Sequence, residues 1–154
     1  MKAALFLTTV LFCASINCFS QDSLKNSVFF ELFGNGIYYS FNYERKLSNQ
    51  FVARGGISYY NDAIVLPLTF GKFFGKKKHH FEITTGFDFE NYGKVGDGRG
   101  NAILLTGFIG YRLQDPIKNF LFRVGLTPLA KIYDEAGEHG DIILSGGLSV
   151  GYRF

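Results

Sequence analysis

The sequence has no tryptophan and only three prolines, and its two cysteines, Cys13 and Cys18, both fall near its start. Beyond Cys18 there is no thiol, which excludes a disulfide framework, a thiolate nucleophile and a cysteine-ligated metal from everything downstream. Charge of one sign is scarce as well. The 16 Lys and Arg stand against 13 Asp and Glu, and a net +3 gives no electrostatic ground for a nucleic-acid partner. After residue 20 no apolar run approaches the roughly 20 residues that a membrane helix needs, and no stretch carries a helical period. If such a chain enters a bilayer, it must do so as a closed barrel.

Residues 1–20 read as a secretory signal peptide. Lys2 supplies the positive start, an uncharged and largely apolar run covers residues 3–16, and Cys18 and Ser20 are small residues ahead of a cut before Gln21. A buried N-terminal helix is the plain alternative. Lipidation at Cys18 is another, for which Asn17 is a poor neighbour. Removal of the leader leaves residues 21–154 as one cysteine-free domain.

What that domain has in abundance is Phe (18), Tyr (9) and Gly (19), set in alternation. Reading back from Phe154, the residues Tyr152, Val150, Leu148, Leu144 and Ile142 fall on one face, while Arg153, Ser149 and Ser145 fall on the other. A period of two is a strand with one apolar face and one polar face. The same pattern recurs over residues 37–47, 51–60, 64–74, 102–113 and 119–133, and most cleanly over 81–89, where Phe81, Ile83, Thr85, Phe87 and Phe89 oppose Glu82, Thr84, Gly86 and Asp88. Residues 27–34 carry a weaker signal because both faces are rich in Phe. Eight strands result, each near the 9–11 residues that cross a bilayer with tilt, and turns separate neighbours throughout. Asn35 and Gly36 form a two-residue hairpin signal. Pro67 and Pro128 fall within strands, each removing a ladder donor, which predicts bulges.

The expected fold is all-β: an eight-stranded antiparallel up-and-down barrel. Alternation alone does not say which face is inside, and a soluble lipocalin-like barrel with an oily cavity is the rival. Residue size decides. The polar face holds Glu31, Glu44, Arg54, Glu82, Asp88, Arg112, Arg123 and Arg153 among many Gly, Ser and Thr, a mixture suited to the narrow interior that side chains fill. The opposite face carries Phe, Leu, Ile, Tyr and Val on nearly every strand, a coat suited to lipid. Buried charges need partners, so the eight are expected to form an internal network that plugs the barrel.

In this pattern the chain resembles the small eight-stranded outer-membrane β-barrels, the OmpA/OmpX-like group, over its whole length after the leader. The resemblance rests on pattern, and its most specific element is the last strand. In such families a final aromatic with alternating apolar residues before it is read by the barrel-assembly machinery; here those positions are Leu148, Val150, Tyr152 and Phe154. The resemblance implies an outer-membrane location among lipids and lipopolysaccharide, with both ends of the mature chain periplasmic. Residues 61–63, 91–101 and 134–140, with Asn35 and Gly36, would then face outward, and residues 48–50, 75–80 and 114–118 would face the periplasm.

Catalytic chemistry is sparse. Some barrels of this size are lipid A deacylases or acyltransferases, which need a Ser, His and acid set. His79 and His80 fall in a periplasmic turn, and His139 sits among Asp134, Glu135, Glu138 and Asp141 without a serine placed for it to activate. The glycines of residues 91–101 precede no helix, so that stretch reads as a flexible surface loop rather than a phosphate cradle. No cofactor or metal is called for. The expectation is a non-enzymatic barrel with a structural or interaction role, in envelope integrity or beside an envelope protein partner; a lipid-modifying enzyme and a narrow gated channel are the alternatives.

Overall fold

The computed structural model describes residues 24–95, 98–115, 117–135 and 141–154. The leader expected over residues 1–20 lies outside these, as does His139. Eight strands follow in order: β1 (Asn26–Phe33), β2 (Tyr39–Lys46), β3 (Phe51–Tyr60), β4 (Ala63–Lys76), β5 (His79–Val95), β6 (Gly98–Gln114), β7 (Phe120–Asp134) and β8 (Ile142–Arg153). Each pairs antiparallel with the next, and β8 returns to β1 with Arg153 facing Ser27 and Gly147 facing Phe33. The sheet is therefore a closed barrel, and closure removes the edges on which a β-sheet aggregates. Among the described residues there is no helix.

The period of two sorts the side chains as closure requires. On β4, Ala63, Val65, Thr69, Gly71 and Phe73 point in, while Ile64, Leu66, Leu68, Phe70 and Phe74 point out. The apolar coat is continuous round all eight strands, with Phe41 60% exposed on β2 and Leu126 55% exposed on β7. Most of the buried side chains are polar or charged. The molecule is thus inverted relative to a water-soluble domain.

Three local expectations are corrected. Residues 91–95 and 98–101 are strand and not loop: β5 and β6 are 17 residues each, and Asn91 pairs with Asn101 through both backbone and side chain (Nδ2 to Oδ1, 2.8 Å). Antiparallel pairing extends by backbone bonds alone, and glycines offer no side chain to oppose it; a bulge between Tyr92 and Val95 absorbs the irregularity. With β4 at 14 and β7 at 15 residues, several strands exceed the expected 9–11.

Asn35 and Gly36 do not make a two-residue hairpin either. The Phe33 N–H donates to Tyr38 O (2.7 Å), and residues 34–36 fold inward and are buried. Phe33, Gly34 and Ile37 take φ of 55°, 80° and 65°, the left-handed values that a tightly recurved tip demands. The Ser58 hydroxyl donates to Gly36 O (3.2 Å) and holds the tip over the barrel mouth.

The prolines, finally, produce no bulge. On β3–β4 the register is the same before and after Pro67 (Gly55 with Leu68, Ser58 with Val65), and on β7–β8 Pro128 pairs in register with Leu144. Beside Pro67 a glycine on the neighbouring strand makes room for the ring: a Cβ at Gly56 would lie 3.0 Å from Pro67 Cγ. The second bulge falls instead at Ile103 and Leu104 of β6, where Ile132 is the extra residue on β7.

The β3–β4 turn is short. Asn61 and Asp62 (φ 45° and 62°) join β3 to β4, the conformation of a two-residue hairpin turn. In the β6–β7 turn the Asp115 carboxylate accepts from the N–H groups of Ile117 (2.9 Å) and Lys118 (3.2 Å). These bonds hold its carboxyl below the usual value.

Candidate functional site

The chemistry of the molecule is concentrated in its lumen. Glu44 and Arg54 are direct cross-strand partners on β2 and β3, and the Arg54 guanidinium binds Glu44 at 2.6 Å. The same nitrogen reaches Glu82 of β5 at 2.7 Å. Arg112 of β6 forks across Glu44 and also meets Glu82 at 3.0 Å. Arg123 of β7 pairs with Arg112 in the ladder, an unfavourable juxtaposition of like charges that Glu82 relieves by contacting both. From there Arg123 continues to Glu31 of β1 (3.2 Å) and to the Ser149 hydroxyl of β8 (3.1 Å). Ser149 in turn donates to Glu31 (3.1 Å).

Three carboxylates and three guanidiniums thus balance to zero charge inside the wall. Burying an ion costs several kcal/mol unless its partners are well placed. Here Glu82 meets three arginines, and aromatic faces take up guanidinium surface that no carboxylate covers. Arg123 lies 4.1 Å over Phe108, Arg54 4.9 Å over Phe29, and Arg112 5.2 Å over Phe73. These three inward phenylalanines are absent from the sequence-based set. Parity identifies them, since Phe29 is two residues from Glu31 and Phe108 four from Arg112. Glycines give Phe108 its space: a Cβ at Gly110 or Gly125 would lie 2.7 Å or 2.8 Å from its Cζ.

Of the eight charged residues that the sequence puts on the polar face, the structure brings six into this network and leaves two outside it. Arg153 is buried at the end of β8 and donates to Leu24 O (3.4 Å). Asp88, fully buried on β5, meets none of the arginines; the Thr106 hydroxyl stands beside it, and Glu90 is its acidic neighbour. Asp88 lies three turns of alternation beyond Glu82 along β5, too far along the strand for their reach. Toward that mouth the inward tip of residues 34–36 covers the network, with Gly34 packed against the Glu31 carboxylate.

Leu148, Val150, Tyr152 and Phe154 stand on the outer face, between 40% and 53% exposed, and Phe154 exchanges two backbone bonds with Asn26 (2.8 Å and 2.9 Å). The histidines form no catalytic set among the described residues. His79 Nδ1 meets the Tyr111 hydroxyl at 2.5 Å, His80 Nε2 meets Lys77 O at 3.2 Å, and no serine hydroxyl bonds to either. Nor do the described residues contain a group of three or more His, Cys, Asp or Glu able to hold a metal.

Wall and lumen together define an outer-membrane-type barrel of eight strands, apolar outside and ionic within. Among solved structures the chain is similar to the N-terminal β-barrel domain of OprF from Pseudomonas aeruginosa, with a TM-score of 0.65 over 86% of this chain and 100% of that one. The two sequences are 14% identical, so the likeness is one of fold. No protein-family model matches the sequence, and no curated protein matches it.

Proposed function

We propose that the chain is a non-enzymatic integral outer-membrane barrel whose role is structural or interactive, supporting the envelope directly or beside an envelope protein. The observation that carries this reading is the inversion: a closed wall with its apolar side out and a charge-neutral ion network in. Each half-exposed Phe or Leu in water forgoes about 1–2 kcal/mol of transfer free energy. Round eight strands the sum reaches tens of kcal/mol, above the ~5–15 kcal/mol net stability of a typical domain. Lipid removes that penalty. Both termini are read as periplasmic, and Leu148, Val150, Tyr152 and Phe154 as the strand recognised during assembly. Lipopolysaccharide and outer-membrane lipids are the surroundings that the coat fits.

The filled lumen and the inward tip of residues 34–36 favour a sealed barrel over a pore. The test has two parts. The mature chain should need detergent or lipid to remain monomeric, and in planar bilayers it should leave conductance at the baseline. A freely soluble monomer without amphiphile sinks the membrane reading. Steady single-channel currents from the wild type would replace the sealed barrel by a narrow channel.

A further inference from the structure

The outer coat is interrupted at one end on the two strands that flank β3. Arg45 of β2 and Lys72 of β4 both point outward from the wall, on either side of β3. Beside Arg45 the β3 wall is low: Arg45 pairs with Ala53, and the next outward residue is Gly55, partner of Tyr43 and Leu68, whereas Lys72 pairs with Phe51. The low stretch opens into a groove of about 400 Å³ lined by Phe41, Tyr43, Gly55, Ile57, Leu66 and Leu68. Arg45 lies one outward position beyond Tyr43, and Lys72 lies two beyond Leu68, past Phe70, so both stand beyond the groove's end. Adjacent strands lie about 4.8 Å apart and the two positions are staggered by two residues of about 3.4 Å, which separates them by about 12 Å, within joint reach of two long side chains.

Aromatic rings hold the Lys72 cation at this edge, and Arg45 stands free beside it. The Lys72 ammonium lies 5.2 Å over the Phe51 ring and 4.9 Å over the Phe74 ring. Arg45 is exposed beside Asn26, whose Oδ1 accepts from the Tyr43 hydroxyl at 2.7 Å. No carboxylate stands on the outward face of β2, β3 or β4, for Glu44 points inward. A cation on the lipid side of a barrel wall is turned away from the aqueous phase's soluble partners and toward headgroups.

Resting on the membrane reading above, we infer that Arg45 and Lys72 bind the phosphate of an anionic glycerophospholipid whose acyl chain lies in the β3 groove. The guanidinium offers paired donors to phosphate oxygens, and the ammonium adds a point charge. The choice of a glycerophospholipid follows from the end of the barrel involved. Arg45 and Lys72 lie at the end where the chain termini emerge, which the proposed orientation turns to the periplasmic leaflet.

The experiment reconstitutes the full mature chain into phosphatidylcholine nanodiscs with and without phosphatidylglycerol, and counts retained lipids by native mass spectrometry. The wild type should retain one phosphatidylglycerol about 30-fold over phosphatidylcholine, the scale expected of two interfacial cations at about 1 kcal/mol each. The double variant R45Q/K72Q should lose that preference while inserting as before. K77Q/K78Q, which removes the same charge from the neighbouring turn, should keep it. Equal retention of the two lipids by the wild type, or a preference that survives R45Q/K72Q, overturns the inference. So does stronger retention of a bisphosphorylated lipid A when it replaces phosphatidylglycerol in a third set of nanodiscs. Failure to insert into either nanodisc would instead bring down the membrane reading itself, which separates the two.

Discussion

Glu82 is the residue on which the lumen turns, because its two oxygens serve Arg54, Arg112 and Arg123 together. Replacing it by Gln keeps the shape and leaves three guanidiniums facing two carboxylates. Breaking a buried pair by removing one partner costs roughly 3–5 kcal/mol, since the orphaned charge stays desolvated. Glu82→Gln should therefore lower the unfolding free energy in detergent by about that amount, measured by urea titration followed through tyrosine fluorescence. Adding Arg112→Gln restores neutrality, so the double variant should be more stable than the sum of its single effects, with a coupling of about 0.5–3 kcal/mol. Strict additivity would mean that the network fills space without acting as a balanced set.

At the scale of the element, alternation made most of the barrel legible. Charged residues mark the inward parity on every strand but β4, and the structure buries Glu31, Glu44, Arg54, Glu82, Arg112 and Arg123 on that face. What alternation does not carry is position along the axis. Asp88 shares its face with Glu82 yet meets no arginine, because staggered strands bring different heights together and stagger is set by closure. Turn geometry was also illegible: Asn35 and Gly36 favour a tight hairpin locally, but the mouth offers Ser58 as a partner and draws the tip inward. The last strand has a consequence in cells. Phe154 adds one outward ring and two backbone bonds to the β1–β8 seam, and Phe154→Ala keeps those bonds. The variant should refold in detergent nearly as well as the wild type, yet accumulate several-fold less in the outer membrane on fractionation. Equal loss in both settings would make Phe154 a packing residue and not an address.

For the whole molecule, the two ends of the barrel differ in charge. Near the termini stand Lys25, Arg45, Lys46, Lys72, Lys76, Lys77, Lys78 and Lys118, with Asp115 as the acid among the described turn residues. Among the described residues the opposite end presents Asp62, Asp134, Glu135 and Asp141, with Lys131 bound to Asp141 at 3.2 Å. The asymmetry makes orientation a measurable property. The sequence after Cys18 has no cysteine, so a single introduced thiol reports its own side of the membrane. Asp62→Cys sits in the β3–β4 turn and Lys77→Cys in the β4–β5 turn, at opposite mouths of the same barrel. With the termini periplasmic, a membrane-impermeant maleimide should label the Asp62 site on intact cells and the Lys77 site only after the outer membrane is opened. The reverse pattern would invert the barrel, carry the basic rim to the cell surface, and move the Arg45 and Lys72 pair to the leaflet that holds lipopolysaccharide.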